Sequence, residues 1–472
     1  MESVRTIYVG LDRALLRVDL LRERLLLAIL RRPFLFLESI RWLLDGGRTL
    51  LKTEIARRST IDVPHLPFNA ELVAFLHEER AAGTRLVLAT SAPHAWALAI
   101  SDHLGLFDRV LATGETTGNL DGRRKLAVIT QDAAGKPFGY AGDAAAAATI
   151  LEASQLPVIV GGGRSAAGRQ ADRAVVIPPQ PGVARAWLRS LRLPQWSKNL
   201  LIFLPALAAH RPELLWPNGA LAFVAFSFGA SALYQLNDFC DLDTDRRDPE
   251  KKNRALAAGA LRPFQALLFA ATLLMIAVTA AIPLPGAFDL VLLAYAVTSV
   301  LHSIALKHVP LLDLLTLAGL STLRVIAGGA ACGLPLSAWP LAFVFFLGLS
   351  LAHLKRHVEL VQRLKRGSDS TPWPVYSPRA LPLLKKFGHT TGLVALLVLA
   401  LYASSPQAVG LYRHPALLFL VCLLLFCGLE RAWFCAGRER ITRDSTVFLL
   451  TDPFTYVITA ATLATVWAAA RY

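Results

Sequence analysis

The pattern of hydrophobic and polar positions changes character about 180 residues into the chain. Before that point, short apolar runs alternate with segments whose apolar residues recur at intervals of three and four, as in AELVAFLHEERAAG (70–83). The runs are RTIYVGL (5–11), TRLVLATS (84–91), PFGYAGD (137–143) and LPVIVGGG (156–163). Runs of this kind are typical of buried parallel strands, and the segments between them are typical of helices. The alternation predicts a doubly wound, Rossmann-like α/β domain over residues 1–182.

A basic, leucine-rich stretch interrupts this alternation between Leu16 and Leu66. Its charged residues recur too often for a membrane span, so it predicts a helical cap on the α/β domain. Residues 161–182, GGGRSAAGRQADRAVVIPPQPG, are rich in Gly and Pro and lack hydrophobic periodicity. They predict a linker.

Beyond the linker, long apolar stretches are separated by short polar loops. Nine stretches approach the length of a transmembrane helix, and they lie near 198–211, 217–237, 262–283, 286–306, 311–332, 337–354, 389–404, 413–434 and 448–470. Residues 183–472 are therefore predicted to form an all-α polytopic membrane bundle of about nine transmembrane helices.

Positive charge alternates between the loops of this predicted bundle. One set of alternate loops carries the clustered cations Arg246, Arg247, Lys251, Lys252, Arg254, Lys307, Lys355, Arg356, Arg363, Lys365, Arg366, Arg431, Arg438, Arg440 and Arg443. The opposite set holds only Arg211 and Arg413. The positive-inside rule then predicts that the rich loops and the N-terminal domain are cytoplasmic and that the C-terminus is outside. The predicted location is an inner or plasma membrane, with the lipid bilayer as a partner.

The composition supports a membrane protein and excludes several other classes of protein. Hydrophobic residues make up 54% of the 472 residues and charged residues 18%, which excludes a disordered chain. The net charge of +15 would suit nucleic acid, but excess Lys and Arg in an apolar chain fits basic cytoplasmic loops better, so no nucleic-acid partner is predicted. Five cysteines without paired spacing exclude a disulfide framework and indicate a reducing compartment.

The densest chemical signal is YQLNDFCDLDTDRRDPEKKNR (234–254), at the predicted cytoplasmic end of the second span. Asp238, Asp241 and Asp245 are spaced i, i+3, i+7, which places three carboxylates on one face of a helix that Pro249 then ends. Clustered carboxylates repel one another unless a cation neutralises them, and a hard divalent ion prefers oxygen ligands. The spacing therefore predicts a Mg²⁺ site.

Five cations follow these carboxylates: Arg246, Arg247, Lys251, Lys252 and Arg254. Mg²⁺ on carboxylates usually keeps waters and takes phosphate oxygens as further ligands. The cations suit a polyphosphate leaving group, which makes a soluble diphosphate donor the predicted partner. The alternative is a solvated juxtamembrane loop that faces anionic lipid.

The motif NDxxDxxxD, at Asn237, Asp238, Asp241 and Asp245, resembles the UbiA superfamily of intramembrane prenyltransferases. More narrowly, the second half is similar to the branch that includes decaprenyl-phosphate phosphoribosyltransferase. The likeness is carried by LPQWSKNLLIFLPALA (193–208), NDFCDLDTDRRDPEKKNRALAAG (237–259), LKHVPLLDL (306–314), LRVIAGGAACGLPLSAW (323–339) and KRHVEL (355–360). The resemblance implies a nine-helix bundle with a Mg²⁺-dependent cavity, in which the three Asp residues bind metal and diphosphate and Asn237 supports them.

Many prenyltransferases of this superfamily carry a second Asp-rich motif. The equivalent loop here is LKHVPLLD (306–313), with Lys307 and one carboxylate, Asp313, as the catalytic residues that the resemblance implies. A tyrosine is usual five residues before that lysine, and this chain has His302. The single Asp favours the phosphoribosyl branch over a two-motif prenyltransferase.

Four further cations are candidate substrate contacts. Lys198 opens the first predicted span, and Arg324 lies well inside the fifth, where an arginine is costly unless it faces a cavity or a partner. Asp313 and Arg324 are eleven residues, or three helical turns, apart and so share a face. A cavity role for Arg324 is favoured over a purely structural pair. Lys355 and Arg356 suit a phosphate clamp and snorkelling anchors equally well.

Residues 5–180 resemble the haloacid dehalogenase-like hydrolase superfamily. Its phosphatases attack with the first Asp of a DxDGT motif after the first strand, whereas this chain reads GLDRA (10–14), with Gly10 at the nucleophile position and Asp12 retained. Covalent phosphatase chemistry needs a carboxylate nucleophile. The resemblance therefore implies a phosphatase fold with degenerate catalysis.

The later motifs of that superfamily are partly kept. Thr90 or Ser91 fits the second motif and Lys125 fits the phosphate-binding lysine. The last motif appears as GDAAAA, which retains Asp143 and lacks its partner carboxylate.

Taken together, the patterns and resemblances predict an integral-membrane transferase. The resemblance implies phosphoribosyl diphosphate as donor and a polyprenyl phosphate or other isoprenoid lipid as acceptor. Prenyl transfer from a polyprenyl diphosphate to an aromatic acceptor is the alternative enzyme. A transporter or lipid-binding scaffold is the alternative without catalysis.

Overall fold

The computed structural model describes residues 5–114, 118–162, 172–178, 183–365, 376–438, 441 and 445–471. Its contacts divide the chain into two units. The first, here called the front unit, is Met1–Ser190 with Asp238–Leu267; the second, the bundle unit, is Leu191–Asn237 with Leu268–Tyr472. In this division the carboxylates of the acidic motif belong to the same unit as the α/β part. The domain boundary at 182/183 stays a prediction.

The front unit is built on a parallel sheet whose strands come from the predicted apolar runs. Its described strands are β1 (Thr6–Val9), β2 (Arg85–Pro93), β3 (Arg109–Thr113), β4 (Gly139–Asp143), β5 (Leu156–Val160) and β6 (Val175–Ile177). They pair in parallel in the order β3-β2-β1-β4-β5-β6, which confirms the predicted α/β fold. The order reverses between β1 and β4, so residues 10–12 follow a strand at the switch point, where such folds hold their sites.

The sequence pattern missed two of these strands. β3 has five residues and begins at the exposed Arg109, and β6 has three residues inside the predicted linker. Both are too short to show an alternation of period two. Residues 163–171 and 179–182 of that linker lie outside the described residues.

The helices of the front unit connect the strands and form the predicted cap. They are α1 (Leu20–Arg31), α2 (Leu35–Arg58), α3 (Ala70–Ala81), α4 (His94–Leu104), α5 (Gly122–Asp132), α6 (Ala148–Ala153) and α7 (Val183–Ser190). Asp19 begins α1, because its Oδ1 accepts a hydrogen bond from the Arg22 amide at 3.1 Å. α2 bends at Gly47, whose φ of 63° strains any residue with a side chain.

From residue 204 onward the described elements are helices joined by loops. The helices are α8 (Leu204–Ala208), α9 (Asn218–Cys240), α10 (Leu242–Arg247), α11 (Pro263–Ala281), α12 (Gly286–Ile304), α13 (Pro310–Cys332), α14 (Ala338–Lys365), α15 (Leu381–Ala403), α16 (Pro406–Leu411), α17 (Leu417–Gly437), α18 (Ser445–Leu449) and α19 (Pro453–Arg471). Within the described ranges, eight helices are long and apolar enough to cross a membrane. The predicted polytopic helical bundle is confirmed, with a count close to the nine predicted stretches.

The difference in count lies at 198–211. The structure has a 3-10 helix at Leu193–Phe203 and then the short α8, with Pro194 and Pro205 near the start of each. This segment packs tightly in the bundle unit: a Cβ atom on Gly328 of α13 would lie 1.9 Å from the Ile202 carbonyl oxygen. Only glycine permits that approach, so the segment is held by packing rather than by a long regular helix.

Candidate active site

The acidic motif lies on two helices rather than one. α9 ends at Cys240, and Asp241, with φ −95° and ψ 5°, separates it from α10. The hydroxyl of Thr244 donates to the Asp241 carbonyl at 2.6 Å, a local bond of the kind that competes with helix continuation. The prediction of one continuous helix is therefore wrong at Asp241. The predicted end near Pro249 is right, because α10 stops at Arg247.

Asp238 and Asp245 nevertheless converge on one cation, Arg254. Its Nη1 donates to Asp238 Oδ1 at 3.1 Å and to Asp245 Oδ2 at 2.6 Å. Both carboxylates are buried, with Asp238 7% and Asp245 3% exposed. A 3-10 turn at Lys251–Asn253 precedes Arg254 and reverses the chain towards the carboxylates. The structure thus brings together two predicted metal ligands and one predicted substrate-binding arginine.

The surroundings of these groups favour a bound cation. Burial raises the pKa of Asp245 to about 7, against the opposing effect of Arg254. Burial acts to lower the pKa of Arg254, but Asp238 and Asp245 outweigh it and the pKa is raised. A carboxylate whose charge is penalised by burial gains most from a nearby positive charge.

The donor set suits Mg²⁺ in type and number. No three His, Cys, Asp or Glu side chains of the described residues gather into a group that could hold a metal by themselves. Mg²⁺ needs only one or two protein carboxylates, since waters and substrate phosphates supply its other ligands. Asp238 and Asp245 already share one cation, and Asp241 lies in the turn between them.

The other predicted substrate cations of this segment lie elsewhere. Arg246 donates from Nη1 and Nη2 to the two carboxylate oxygens of Glu23, at 2.7 Å each, and both side chains are buried. Lys252 is exposed in the 3-10 turn. Arg254 is therefore the predicted cation that this unit places beside the acidic motif.

A second cluster, in the bundle unit, surrounds Asp313 of α13. Arg356 of α14 donates from Nε to Asp313 Oδ2 at 2.6 Å and also contacts Oδ1. His302 Nε2 lies 2.9 Å from Oδ1, and the Tyr376 hydroxyl donates to Oδ2 at 3.1 Å. Asp313 is fully buried, so three side chains satisfy its charge inside the bundle.

Arg324 has different partners from Asp313, although both lie on α13. Its Nε donates to Asn199 Oδ1 at 2.8 Å, and its Nη2 donates to the Tyr295 hydroxyl at 2.9 Å. Its Nη1 reaches the Leu320 carbonyl. The structure does not pair the two residues that share a face in the sequence; it joins Arg324 to the Leu193–Phe203 segment and to α12.

The remaining predicted site residues are half-buried. Asn237 is near the end of α9, Lys198 is in the Leu193–Phe203 segment, Lys307 is in the 3-10 turn Leu306–His308, and Lys355 precedes Arg356 on α14. Their roles in substrate binding and catalysis stay predictions.

The phosphatase-motif positions of the front unit are used for packing. A Cβ atom on Gly10 would lie 3.0 Å from the Tyr140 hydroxyl oxygen, so Tyr140 fills the space beside the nucleophile position. Asp12 Oδ1 accepts from the Leu20 amide at 2.9 Å, at the start of α1. Burial raises the pKa of Asp12 to about 6.

The other motif residues also contact the protein itself. The Ser91 carbonyl accepts a hydrogen bond of 2.6 Å from Lys52 of the cap helix α2. Asp143 accepts from the Ala146 amide at 2.8 Å. Lys125 lies over the ring of Tyr140, 5.7 Å from its centre.

Several partners of the site were missed from the sequence. Glu23 and Arg24 stand between leucines in LLRERLLL, and apolar neighbours at helical spacing could have indicated a buried charged pair. Tyr376 and Asn199 carried no comparable signal, because both reach their partners through long-range contacts.

The fold and these clusters define a polytopic membrane protein with an acidic motif, preceded by a phosphatase-like α/β domain. The model of the UbiA prenyltransferase family matches residues 199–468, and that of the haloacid dehalogenase-like hydrolases matches residues 7–148. The chain belongs to the UbiA prenyltransferase family and carries a haloacid dehalogenase-like domain in front.

Relatives match different parts of the chain. It is 32% identical over 458 residues to the uncharacterized protein y4nM of Sinorhizobium fredii, covering 95% of this chain and 88% of that protein. It is 30% identical over 261 residues to nodulation protein NoeC of Azorhizobium caulinodans, covering 54% of this chain and 84% of that protein. It is 32% identical over 196 residues to decaprenyl-phosphate phosphoribosyltransferase of Corynebacterium glutamicum, covering 40% of this chain and 59% of that enzyme. A solved UbiA homolog from Archaeoglobus fulgidus, bound to DMAPP and Mg²⁺, has 18% sequence identity and a TM-score of 0.47. The match covers 60% of this chain and 98% of that chain.

Proposed function

We propose that the chain transfers phosphoribose from phosphoribosyl diphosphate to a polyprenyl phosphate in a Mg²⁺-dependent reaction at the acidic motif. The observation that carries the proposal is the convergence of Asp238 and Asp245 on Arg254, since buried carboxylates beside a cation suit a metal-bound diphosphate. The donor and acceptor are supported by the similarity to decaprenyl-phosphate phosphoribosyltransferases over 40% of this chain.

The residues of the motif have separate tasks in this proposal. Asp238 and Asp245, with Asp241, would hold Mg²⁺, which when bound stabilises the negative charge that grows on the leaving diphosphate. Arg254 lies against the same carboxylates, so we expect its guanidinium to move from them to the diphosphate oxygens when the donor binds.

The reaction balances as a displacement at C1 of the ribose. The bond from C1 to the diphosphate oxygen breaks and the electron pair leaves with diphosphate. A phosphate oxygen of the lipid forms the new bond to C1, which is oxocarbenium-like between the two events. Diphosphate leaves as a stable anion, so the site needs positive charge more than a general acid.

The second cluster supports the phosphoribosyl reaction over two-motif prenyl transfer. Asp313 is fully buried and is bound by Arg356, His302 and Tyr376. A carboxylate satisfied by three side chains is poorly suited to a second metal site.

The acidic motif is proposed to face the cytoplasm. The ion pair between Glu23 and Arg246 supports one side of the membrane for both residues, which requires an even number of crossings between them. The span that contains α9, Pro212–Cys240, is one crossing, and we assign the other to residues 191–211, since irregular backbone is tolerated where protein buries it. The Arg- and Lys-rich loops then mark the cytoplasmic side.

The test uses purified full-length protein in detergent, Mg²⁺, radiolabelled phosphoribosyl diphosphate and a polyprenyl phosphate. Label is expected in the organic phase, and chelation with EDTA or the Asp238→Asn change should abolish it. Asp289→Asn, at an exposed carboxylate in the first turn of α12, is the matched control and should retain full transfer. Product from an allylic diphosphate and an aromatic acid, with none from the phosphoribosyl donor, would establish prenyl transfer instead. No transfer from either donor by folded protein would favour a scaffold.

The front unit is proposed to lack phosphatase activity. Gly10 offers no nucleophile, and Tyr140 fills the space beside it. The same protein should therefore leave p-nitrophenyl phosphate and the transfer product unhydrolysed, and release of inorganic phosphate above a no-enzyme blank would contradict this.

A further inference from the structure

Helix α1 contacts the acidic-motif segment through buried charges. Glu23 is fully buried and receives two hydrogen bonds of 2.7 Å from Arg246. Arg24, also buried, lies 2.8 Å from Asp243 Oδ1, and Arg31 lies 3.4 Å from Asp243 Oδ2. All these residues belong to the front unit. Charges are rarely buried unless each is paired in a defined geometry, so the buried Glu23–Arg246 pair specifies one position of α10 against α1. The half-buried Asp243 adds a second contact from α10 to α1.

These contacts use one side of α10 and leave the other to the metal ligands. Asp243 and Arg246 are three residues apart and both turn to α1. Asp245 lies between them in sequence and turns instead to Arg254, which also binds Asp238, while Asp241 lies in the turn before α10. Residues three or four apart lie on one helix face, so α10 presents two faces with different tasks.

Two further contacts extend this attachment. Arg246 Nε also donates to the Ala257 carbonyl at 3.1 Å, which joins both ends of the motif loop to Glu23. Gly259, with φ 71°, approaches so closely that a Cβ atom there would lie 2.9 Å from Arg17 Cβ. Apolar packing accompanies the charges, since Leu27 of α1 is buried with Phe239 and Leu242.

The retained acid of the phosphatase motif holds the other end of this arrangement. Asp12 follows β1 and accepts from the Leu20 amide at the first residue of α1. A chain of direct contacts therefore runs from the central strand through Asp12 and α1 to α10. The phosphatase-like fold therefore supports α1, the helix that contacts the acidic motif.

We propose that Glu23 and Arg24 are positioning residues for the acidic motif, and that the front unit serves the transferase by holding α10 so that Asp241 and Asp245 face the metal and the diphosphate. This rests on the proposed function, because it assigns the motif the metal-binding role argued above. Neither residue touches the reacting atoms.

The test measures Mn²⁺ affinity by electron paramagnetic resonance on full-length protein in detergent, together with tryptic cleavage at the cations of residues 246–254. Glu23→Gln is expected to weaken Mn²⁺ binding about 10- to 100-fold, as loss of residues that orient metal ligands does. Cleavage in the loop should become faster. Gly259→Ala, which disturbs the same attachment without a charge change, should weaken Mn²⁺ binding in the same direction, and Glu23→Asp should recover part of the affinity.

Two matched controls isolate the effect. Glu38→Gln removes a carboxylate from the exposed pair with Arg58 on the same cap. Gly105→Ala imposes the strain of a positive φ, 61°, at a site with no atom within 4 Å of the new Cβ. Both should leave Mn²⁺ affinity and cleavage unchanged.

The outcomes separate the inference from the proposed function. Wild-type affinity in folded Glu23→Gln, whether or not cleavage changes, would overturn the positioning role alone. Weakening as large in Glu38→Gln and Gly105→Ala would also overturn it. Absence of Mn²⁺ binding in the folded wild-type protein would overturn the proposed metal site, and the positioning role with it.

Discussion

The two carboxylate–arginine clusters, one in each unit, use the same residue types in opposite ways. In the front unit one arginine, Arg254, lies between two carboxylates. In the bundle unit one carboxylate, Asp313, receives an arginine, a histidine and a tyrosine. A cation held by two carboxylates can be exchanged for another cation, whereas a carboxylate bound by several donors is a fixed element of the packing. We therefore propose that the first cluster serves the chemistry and the second serves stability.

The largest expected effect is on transfer activity at the first cluster. Asp245→Asn should reduce transfer at least about 100-fold, because loss of a ligand should cost no less than loss of a residue that merely orients one. The protein should remain folded, since the change removes a charge whose burial raises its pKa to about 7. Transfer assays and thermal unfolding on the same preparation check both parts. If the Asp245→Asn protein is unfolded, the first cluster stabilises the fold as the second cluster does, and the contrast between them is wrong.

The next effect is on stability at the second cluster. Asp313→Ala should lower the free energy of unfolding by about 1–3 kcal/mol, because His302 and Tyr376 lose their buried acceptor while the half-buried Arg356 keeps Glu359 as a partner. Denaturant unfolding in detergent measures this. Asp289→Ala, at an exposed carboxylate, is the control and should change stability little. A stable Asp313→Ala protein with weakened Mn²⁺ binding would instead make Asp313 a metal ligand.

A moderate effect is expected from removing the cation of the first cluster. Arg254→Gln should tighten Mn²⁺ binding in the absence of donor by about tenfold or more, because the change removes a like charge that competes with the metal for Asp238 and Asp245. The apparent KM for the diphosphate donor should rise. Arg262→Gln, at an exposed arginine of the same unit, should change neither value. Weaker Mn²⁺ binding in Arg254→Gln would show that Arg254 orders the carboxylates rather than competing for them.

The smallest effect concerns a third carboxylate, Asp12, whose hydrogen bond is to a backbone amide. Burial raises its pKa from 3.8 to about 6, so its charged form is penalised in the folded state. That penalty is absent below about pH 4 and fully present above about pH 6. Asp12→Asn keeps an acceptor for the Leu20 amide and should raise Tm by about 2–4 °C at pH 7, with little change near pH 4. A lower Tm at pH 7 would show that the charge itself holds α1.

Much of the architecture follows from hydrophobic patterns that can be read directly from the sequence. The apolar runs around residues 5–11 and 84–91 became β1 and β2, and eight of the nine long apolar stretches became helices of spanning length. Period-two and period-3.6 patterns are local, so they predict element type well. The break at Asp241 depends on one hydrogen bond from a side chain to the backbone, and hydrophobic periodicity does not predict such a bond.

The site was predicted in its residue types but only partly in its partners. Asp238, Asp245 and Arg254 were chosen from charge spacing alone, and the structure brings them together. Arg246 carried the same charge signal as Arg254 yet is bound by Glu23, more than 200 residues earlier. Spacing along a helix is local information, while the choice between two neighbouring arginines is made by what folds against each.

The sequence by itself determined the class of this protein: an α/β domain and a membrane bundle that carries an acidic motif at the end of its second predicted span. The spacing of hydrophobic residues and the sign of each charge are properties of local sequence, and both directly govern how segments insert into a membrane. Only the tertiary structure decided that the motif belongs to the front unit, that Asp313 is bound by donors and that Arg254 holds the two carboxylates. The physical reason is that a buried charge must find its partner wherever the chain supplies one, and that partner is set by packing rather than by distance in sequence.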